Sequence, residues 1–540
     1  MTSRGPAGGR DLELFELGLV SRVALSSLGP HGCLQGIQAN ERSNLGTLSS
    51  VSGRLFENLR LRTWLARALV QLTVKPQREA FGDGGLLALL VAAKLVEAVW
   101  ENSASPFDRF LMTQSLERAL EGLRDKVKVT LALDLKLGGG AGAGGNAEVV
   151  RPVEELRWND LPSLVALARS VVAPKQKVCA DARETDHVCR TLAEAFVLAL
   201  PEDAFRKPHI GLITVVGPSV LHTFTTSNLV VDVPMTHQIE KMLPLESPSI
   251  VVFNTSLDID LDRHAQEPAA AGEGQGVQIR ITGGDPAAAM NYELALLSRL
   301  VDSLAGEGVA VAASQKTIHP FVKQELVQRG IVPIERLSLR HVDAVASSCG
   351  VRPVSAISEA ILPQLGSHVG TLRKMRVIRL KRKKVLELEP TEDRNMQTVV
   401  LTAPSELAME ELSVVSRTVF KVLHAAISSP YVTRGGGCLE LILSRLVRSQ
   451  GGLAASSTRE ARLEATILES FASTLTLAAS RICGSESSLE DLWKAAASAG
   501  DGDGDGKLLL DLVMVKLGAI EHGVDAACNL ARVDSTLEVV

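Results

Sequence analysis

Apolar residues recur at three- and four-residue spacing along both ends of the chain. The stretches LELFELGLVSRVALSSL, LRTWLARALVQL and LLALLVAAKLVEAVW predict helices from residue 11 to about residue 127. Helical spacing returns at about residues 158–200, and again after the predicted strand TVVLTA up to the end of the chain. Both flanks of the sequence are therefore predicted to be helical.

The period changes in the middle of the chain. Short β-branched runs, bounded by Gly, Pro, Asn and Asp, predict strands in IGLITVVG, NLVVDV, SIVVFNTSLDIDL, GVQIRIT, GVAVAAS and GIVPIERL. They alternate with helical patterns at residues 287–304 and 321–329. The predicted class is a multi-domain α/β protein in which helix-rich flanks enclose an inserted α/β middle.

A basic stretch, LRKMRVIRLKRKKVLELEP, follows the α/β middle. Its near-alternating apolar positions predict a β-hairpin with a tip at residues 381–384. Aromatic residues that could stack on bases are absent, so a solvated hairpin is favoured over a nucleic-acid patch. We expect no nucleic-acid partner.

Composition limits the class of protein. The chain has 540 residues, a length that allows several domains. Its residues are 46% hydrophobic and its formal net charge is -5, values that are ordinary for a globular protein and disfavour a disordered chain. Its seven cysteines are scattered and never form C-x-x-C, which is typical of reduced intracellular thiols. The longest apolar run, residues 84–93, is about half of the ~20 residues that a membrane span needs. We expect no membrane span and no targeting signal.

Three further motifs favour structural interpretations. The Gly/Ala segment at residues 137–146 contains G-x-G-x-x-G but meets Pro152 rather than a packed helix, which is typical of a flexible insertion. DGDGDG, residues 501–506, begins like a calcium loop, yet Leu512 occupies the position of its last acidic ligand. Cys179, His187 and Cys189 lack a fourth ligand and zinc-like spacing, so packing is the favoured role.

Three glycine-containing turns carry the candidate chemistry. They are LGPHG at residues 28–32, FGDG at 81–84 and RGGGC at 434–438, each entering or lying between predicted helices. Backbone N–H groups at glycine-rich helix starts bind anions, and Asp83 could hold a magnesium ion that bridges phosphates. Taken alone, Asp83 could equally be a helix cap.

Together, in this order around an α/β middle, the three turns resemble the nucleotide pocket of the group II chaperonins. SIVVFNTSLDID and the run from ASQKTIHP to VRPV also resemble the apical part of that family. The resemblance implies an ATP site with magnesium at Asp83. The implied nucleotide-binding residues are Leu28, Gly29, Pro30, Gly32, Gly82, Asp83, Gly84, Gly85, Gly435, Gly436 and Gly437.

Several stretches resemble one divergent branch of the family, the McKusick–Kaufman/Bardet–Biedl chaperonin-like proteins. They are ARETDHVCRTLAEAFVLALPED, SQKTIHP, RGGGCLE and KLGAIEHGVDAACNLARVDSTLE. The implied architecture has a helical equatorial-like domain at residues 1–128 and 403–540. A small intermediate-like domain would comprise residues 129–206 and 364–402, and an α/β apical-like domain residues 207–363.

Departures from the family pattern concern the chemistry of hydrolysis. The family's G-D-G-T-T reads G-D-G here with Gly85 and Leu86 after it, so two hydroxyl donors are missing. The turn SSVSG at residues 49–53 lacks the family's carboxylate, and Thr418 stands at the position of the water-activating Asp. Threonine cannot act as a general base near neutral pH. We therefore assign no catalytic residue, and leave open whether the cofactor is ATP with magnesium or absent.

Three functions remain open on the sequence. The favoured one is a chaperonin-like assembly factor that joins other Bardet–Biedl chaperonin-like proteins and the cytosolic chaperonin to build the Bardet–Biedl complex, the BBSome, for ciliary trafficking. The alternatives are an ATP-hydrolysing chaperonin subunit that folds clients, and a ring-independent interaction protein at the centrosome. The expected locations are the cytoplasm, the centrosome or ciliary basal body, and the nucleus.

No client-binding residue is assigned. Apolar residues in TIHPFVKQEL could face a client, but a helix that packs its apolar face on a sheet explains the same pattern. These residues are Ile318, Pro320, Phe321, Val322 and Leu326.

Overall fold

The computed structural model of the chain describes residues 6–37, 47–57, 59–136, 153–175, 178–201, 208–258, 286–380, 383–391, 395–451, 458–484 and 508–533. Three features expected from the sequence lie outside these residues: the Gly/Ala segment at 137–146, the strand predicted at 276–282 and the acidic loop at 501–506.

Most of the described helices follow the predicted helical stretches, but α8 and α11, in the middle of the chain, were not predicted. In chain order they are α1 (Pro6–Ser27), α2 (Ser52–Glu57), α3 (Trp64–Ala80), α4 (Gly85–Asn102), α5 (Pro106–Lys136), α6 (Leu161–Val172), α7 (Ala182–Leu198), α8 (His237–Met242), α9 (Pro286–Gly306), α10 (Pro320–Gln328), α11 (Ser338–Cys349), α12 (Glu406–Ser428), α13 (Cys438–Gly451), α14 (Arg459–Cys483) and α15 (Val513–Ala531). None of these described helices is long and apolar enough to cross a bilayer.

The strands concentrate in the middle of the chain. In chain order they are β1 (Gln35–Ile37), β2 (Thr47–Ser49), β3 (Glu154–Glu155), β4 (His209–Val216), β5 (Phe224–Thr226), β6 (Leu229–Val231), β7 (Leu245–Glu246), β8 (Ser249–Phe253), β9 (Val311–Ser314), β10 (Val332–Ile334), β11 (Gly370–Leu380), β12 (Lys383–Pro390), β13 (Met396–Ala403), β14 (Tyr431–Arg434) and β15 (Leu510–Leu512).

The chain divides into two compact units. The first contains residues 1–194, 216–223 and 402–540, so it is assembled from both chain ends; the second contains residues 195–215 and 224–401. This division does not separate an intermediate-like domain, and the three-domain boundaries stay a prediction.

Helix α4 forms the centre of the first unit. Its residues 86–93 are all buried, and its nearest charges, Lys94 and Glu97, pair with each other at 2.7 Å. Helix α15 packs closely on it because Gly523 has no side chain: a Cβ there would lie 2.9 Å from the carbonyl oxygen of Ala88 and from the Cβ of Val91. The last described helix of the chain thus completes a core that the N-terminal helices begin.

A small antiparallel sheet in the first unit joins distant segments. Strand β14 lies between β15 and β3, with Thr433 opposite Asp511 and Tyr431 opposite Glu155. This pairing brings the start of the RGGGC turn, Arg434, beside Leu510, close to the start of α15.

The second unit is built on a seven-stranded sheet with the order β10-β9-β8-β11-β12-β6, in which β7 also pairs with β11. Strands β8, β9 and β10 are parallel, and β11 pairs with β8 antiparallel. Alternate residues of β8 enter different cores: Ile250 and Val252 belong to one cluster, and Val251 and Phe253 to the other. Both faces of the sheet are therefore covered.

A separate three-stranded sheet has the order β4-β13-β5.

The apolar residues of TIHPFVKQEL mainly form this core. Ile318, Val322 and Leu326 are at most 2% exposed and belong to the cluster that includes Val251 and Phe253. Phe321, in contrast, is 46% exposed. Helix packing thus explains three of the five residues considered as a client surface.

The basic stretch forms the predicted hairpin, in which β11 and β12 pair antiparallel up to Leu380 opposite Lys383. Its basic side chains contact acidic partners within the second unit. The pairs are Arg373–Glu389, Lys374–Glu246, Arg376–Glu387, Lys383–Asp232 and Lys384–Glu240. The positive charge of these residues is therefore locally balanced; residues 381 and 382 lie outside the described part.

Glu16 ties the first helix to the start of α3. Its carboxylate accepts hydrogen bonds from the backbone N–H groups of Arg62, at 3.1 Å, and Thr63, at 2.8 Å, and from the Thr63 hydroxyl at 2.8 Å. Burial alone would raise the pKa of Glu16, but these hydrogen bonds outweigh it and lower the pKa below its ordinary 4.5.

Replacing Glu16 by Gln is expected to lower the free energy of unfolding near neutral pH by about 1.5–3 kcal/mol, because charge-assisted hydrogen bonds are lost. A carboxylate with a lowered folded pKa stabilises the fold above its unfolded pKa and loses that effect as the pH falls through the folded pKa. The difference between wild type and Glu16→Gln should therefore shrink below about pH 4. Urea unfolding followed by circular dichroism at both pH values measures it.

Glu101→Gln, at an exposed position near the end of α4, is the matched control and should change stability by less than about 0.5 kcal/mol. An equal loss for Glu16→Gln at both pH values would contradict the role of the ionised carboxylate.

Candidate functional site

A cavity of about 510 Å³ lies within the first unit. Parts of all three glycine-containing turns line it: residues 28–31, Asp83 with Gly84, and Gly436. The side chains that decide its chemistry come from other segments as well. They are Ser52, Asp83, Lys175, Thr418, Asp511 and Lys516.

The predicted nucleotide-binding residues divide into two groups. Leu28, Gly29, Pro30, Asp83, Gly84 and Gly436 line the cavity. The others, Gly32, Gly82, Gly85, Gly435 and Gly437, are not part of its lining, and a Cβ at each would meet a neighbouring atom at 3.0 Å or less. These five glycines allow close packing of the turns, and a direct nucleotide contact from them stays a prediction.

Gly29 and Gly84 are two of the three lining glycines that have a positive φ, the third being Gly436. Gly29 has a φ of +84°, and a Cβ on it would lie 2.2 Å from the carbonyl oxygen of Arg481. Gly84 has a φ of +85° and precedes α4, where a Cβ would lie 2.7 Å from Nε2 of Gln77. A side chain at either position would require the backbone or Gln77 to move.

Gln77 positions the turn that carries Asp83. The Nε2 group of this fully buried side chain donates hydrogen bonds to the carbonyl oxygens of Asp83, at 2.8 Å, and Val515, at 2.9 Å. Its Oε1 atom lies 2.9 Å from Nδ1 of His522. Since both amide hydrogens are used, His522 must donate this bond. One amide thus joins α3, the Asp83 turn and α15.

Lys175 also lines the cavity. Its Nζ donates to the carbonyl oxygen of Ser50 at 2.9 Å. Burial lowers the pKa of Lys175, although the carboxylates of Asp83 and Glu411 act in the opposite direction. A bound anion in the cavity would favour the charged form of this lysine.

Lys516 lies in a buried acidic cluster at the start of α15. Its Nζ is 2.7 Å from Oε1 of Glu440 and 3.4 Å from Oδ2 of Asp511. Burial disfavours the charge of Lys516, but the two carboxylates outweigh it and raise the pKa of the lysine. Burial also raises the pKa of Asp511. Oε2 of the fully buried Glu440 has no hydrogen-bond partner among the described residues.

Thr418 and Glu411 are the described residues that bear on the expected position of the attacking water. Thr418 lines the cavity, and its hydroxyl donates to the carbonyl oxygen of Val414 at 3.1 Å, as in an ordinary helix. Glu411, one of the buried acids, accepts hydrogen bonds from the Ser49 hydroxyl and from the N–H and hydroxyl of Ser50. Its carboxylate therefore holds the 49–53 turn and is not part of the lining.

Asp83 is the residue that would hold a magnesium ion. The described residues contain no group of three or more His, Cys, Asp or Glu side chains arranged to bind a metal, and this includes Cys179, His187 and Cys189. Burial instead raises the pKa of Cys179 to about 12. A single carboxylate fits Mg²⁺ when substrate phosphates and water supply its other ligands.

Comparison with known proteins shows the family of the chain. The TCP-1/cpn60 chaperonin family matches residues 20–539. The chain is a member of the TCP-1/cpn60 chaperonin family. The expected family and the multi-domain α/β fold class are thereby confirmed.

The chaperonin-family relatives include the branch expected from the sequence. The molecular chaperone MKKS of Mus musculus is 23% identical over 445 residues, covering 80% of this chain and 70% of the relative. MKKS of Homo sapiens is 22% identical over 441 residues with the same coverage. Thermosome subunit alpha of Sulfurisphaera tokodaii is 22% identical over 554 residues, covering 96% of this chain and 89% of the relative.

Several residues of this chaperonin-like cavity were not predicted. Asp511 carries a signal in the sequence, since it is the acid within the apolar run LLLDLVMV. Lys175 follows a Pro at the end of a helix, which does not distinguish it from a surface lysine. Gln77 and Ser52 have no local signal, because their roles depend on residues far along the chain.

Replacing Lys516 by Met should destabilise the protein by about 3–5 kcal/mol, because two buried carboxylates would lose their cation. Lys516→Met combined with Glu440→Gln should recover part of that loss, since one of the unpaired charges is then removed. Thermal and urea unfolding of both variants test this expectation.

Lys75→Met, at an exposed position of α3, controls for the loss of a lysine and should change stability by less than about 0.5 kcal/mol. A double variant as unstable as Lys516→Met alone would argue against the ion pair as the cause.

Proposed function

We propose that this chaperonin-like protein binds a magnesium nucleotide in the cavity, does not hydrolyse it, and acts as an assembly factor for the BBSome. One observation carries the nucleotide part: the cavity combines the Asp83 turn with Lys175, while Thr418 stands where hydrolysis would need a carboxylate.

The retained features support binding. Gly29 and Gly84 line the cavity without side chains that could keep a phosphate group away, and Lys175, whose charged form a bound anion would favour, lines the same cavity. Asp83 supplies a carboxylate for the magnesium ion that accompanies nucleotide phosphates. The bound metal would neutralise phosphate charge, while the chain's own residues position the ligand and restrict access of water.

The altered features argue against turnover. A base must accept a proton from the attacking water, and the Thr418 hydroxyl is neutral and already hydrogen-bonded within α12. Glu411 cannot take over this task while its oxygens accept hydrogen bonds from Ser49 and Ser50. Nucleotide binding without cleavage would act on the conformation of the protein rather than drive a cycle.

The similarity to MKKS supports the assembly role. Under this proposal the partners are other Bardet–Biedl chaperonin-like proteins and subunits of the cytosolic chaperonin, and the clients are BBSome subunits. The protein would act in the cytoplasm and at the centrosome or ciliary basal body, with the nucleus as a further compartment.

Calorimetric titration should show that the wild type binds ADP with magnesium, while steady-state assays show no ATP turnover above the protein-free rate. Asp83→Asn should weaken binding about tenfold in the presence of magnesium and leave it unchanged in EDTA, since one charge-assisted metal contact is lost. Asp125→Asn, on the exposed face of α5, is the control. Turnover by the wild type that Asp83→Ala abolishes would instead support an ATP-hydrolysing chaperonin.

Affinity capture of the tagged protein from ciliated cells, followed by mass spectrometry, tests the assembly role. The expected result is recovery of chaperonin-like proteins, cytosolic chaperonin subunits and BBSome subunits in one assembly. A monomeric native mass without chaperonin subunits would support a ring-independent centrosomal protein.

A further inference from the structure

The space beside residue 85 is occupied by the side chain of Ser52. A Cβ atom on Gly85 would lie 2.5 Å from the Ser52 hydroxyl oxygen and 3.0 Å from the Ser52 Cβ. Close-packed interiors do not accommodate such an approach without movement of a neighbour. The glycine at position 85 and the serine at position 52 therefore fit each other, although 33 positions separate them in the sequence.

Ser52 carries an unused hydrogen-bond donor at the wall of the cavity. It is the first residue of α2, lines the cavity and is only 7% exposed. Its hydroxyl has no hydrogen-bond partner within the part of the chain that the structure describes. Buried hydroxyls in folded proteins are normally hydrogen-bonded. An unpartnered one at this position indicates a donor available to a ligand.

The surroundings favour an anionic ligand. Lys175 lines the same cavity, and its Nζ contacts the carbonyl oxygen of Ser50, two residues before Ser52. Leu86 and Leu87 also line it, in the first turn of the 18-residue helix α4. Backbone N–H groups in a first helical turn have no partner within the helix and attract anions.

We infer that Ser52 is a phosphate-binding residue, whose hydroxyl donates a hydrogen bond to a phosphate oxygen of a nucleotide in the cavity. The inference rests on the proposed nucleotide binding. In the family pattern a hydroxyl side chain follows G-D-G directly; in this chain the donor comes from α2, and Gly85 leaves the room that it needs.

A helix-capping role does not account for Ser52. A capping serine uses its oxygen to accept an N–H group from the following turn, and no such bond to Ser52 exists among the described residues. The two roles, phosphate binding and a structural role, can be distinguished by removing the hydroxyl and measuring whether a ligand with phosphates loses more affinity than one without them.

The test compares wild type with Ser52→Ala by calorimetric titration with ADP and, separately, with adenosine, both in the presence of magnesium. We expect ADP affinity to fall about tenfold, the scale of one hydrogen bond to a charged group, and adenosine affinity to stay unchanged. Ser416→Ala is the matched control, because this buried hydroxyl donates to the carbonyl oxygen of Leu412 within its own helix and is not in the lining.

Gly85→Ala provides a second, independent variant. Its methyl group should displace the Ser52 hydroxyl and weaken ADP binding in the wild-type background, but add little to the loss in a Ser52→Ala background. Melting temperatures without nucleotide verify that each variant is folded.

The outcomes separate this inference from the proposed function. A wild type that binds no nucleotide overturns both. A wild type that binds ADP, with Ser52→Ala binding it equally well, overturns the inference alone. Equal losses for ADP and adenosine would likewise overturn it, because they would assign Ser52 a structural role.

Discussion

The amide of Gln77 is the interaction on which the cavity depends. Its Nε2 group donates to the carbonyl oxygens of Asp83 and Val515, and its Oε1 atom contacts the imidazole of His522. Both amide hydrogens and one oxygen lone pair are therefore hydrogen-bonded. Because the amide reaches both the Asp83 turn and α15 from α3, the Asp83 turn cannot shift without breaking its hydrogen bond to Gln77. Gly84, whose φ is +85°, lies against the same amide, since a Cβ on it would be 2.7 Å from Nε2 of Gln77. The shape of the cavity beside the Asp83 turn thus follows from a residue that is not itself in the lining.

Anion binding and nucleotide cleavage depend on different features of such a cavity. Anion binding relies on backbone geometry and on positive charge, and Gly29, Gly84 and Lys175 line the cavity. Cleavage relies on a side chain of suitable pKa at one point, and Thr418 does not provide it. Backbone features tolerate side-chain substitutions, since every residue except proline has a backbone N–H donor. A cavity of this kind can therefore keep backbone features that suit an anion when the side chain at one position changes.

The sequence predicted the helical flanks, the strands of the middle and the family, because each has a local signal: a hydrophobic period or a glycine turn. It also predicted the hairpin at β11 and β12. It did not predict how the cavity is charged. The acids around Lys516 come from β15 and α13, and Glu411 meets a turn that lies 361 positions away at Ser50. Such contacts depend on packing between distant segments, and no spacing rule in the sequence describes them.

The assembly of the first unit from both chain ends has a consequence for synthesis on the ribosome. The apolar surface of α4 is made early, but α15, which covers part of it through Gly523, is the last of the described helices to be made. Until then α4 exposes surface of the kind that promotes aggregation, so the nascent chain itself needs protection. By the same reasoning, a premature stop codon shortly before α15 would remove Lys516, Val515 and the cover of α4 together. Such an allele would behave as a complete loss of the first unit, although it leaves all three glycine turns intact.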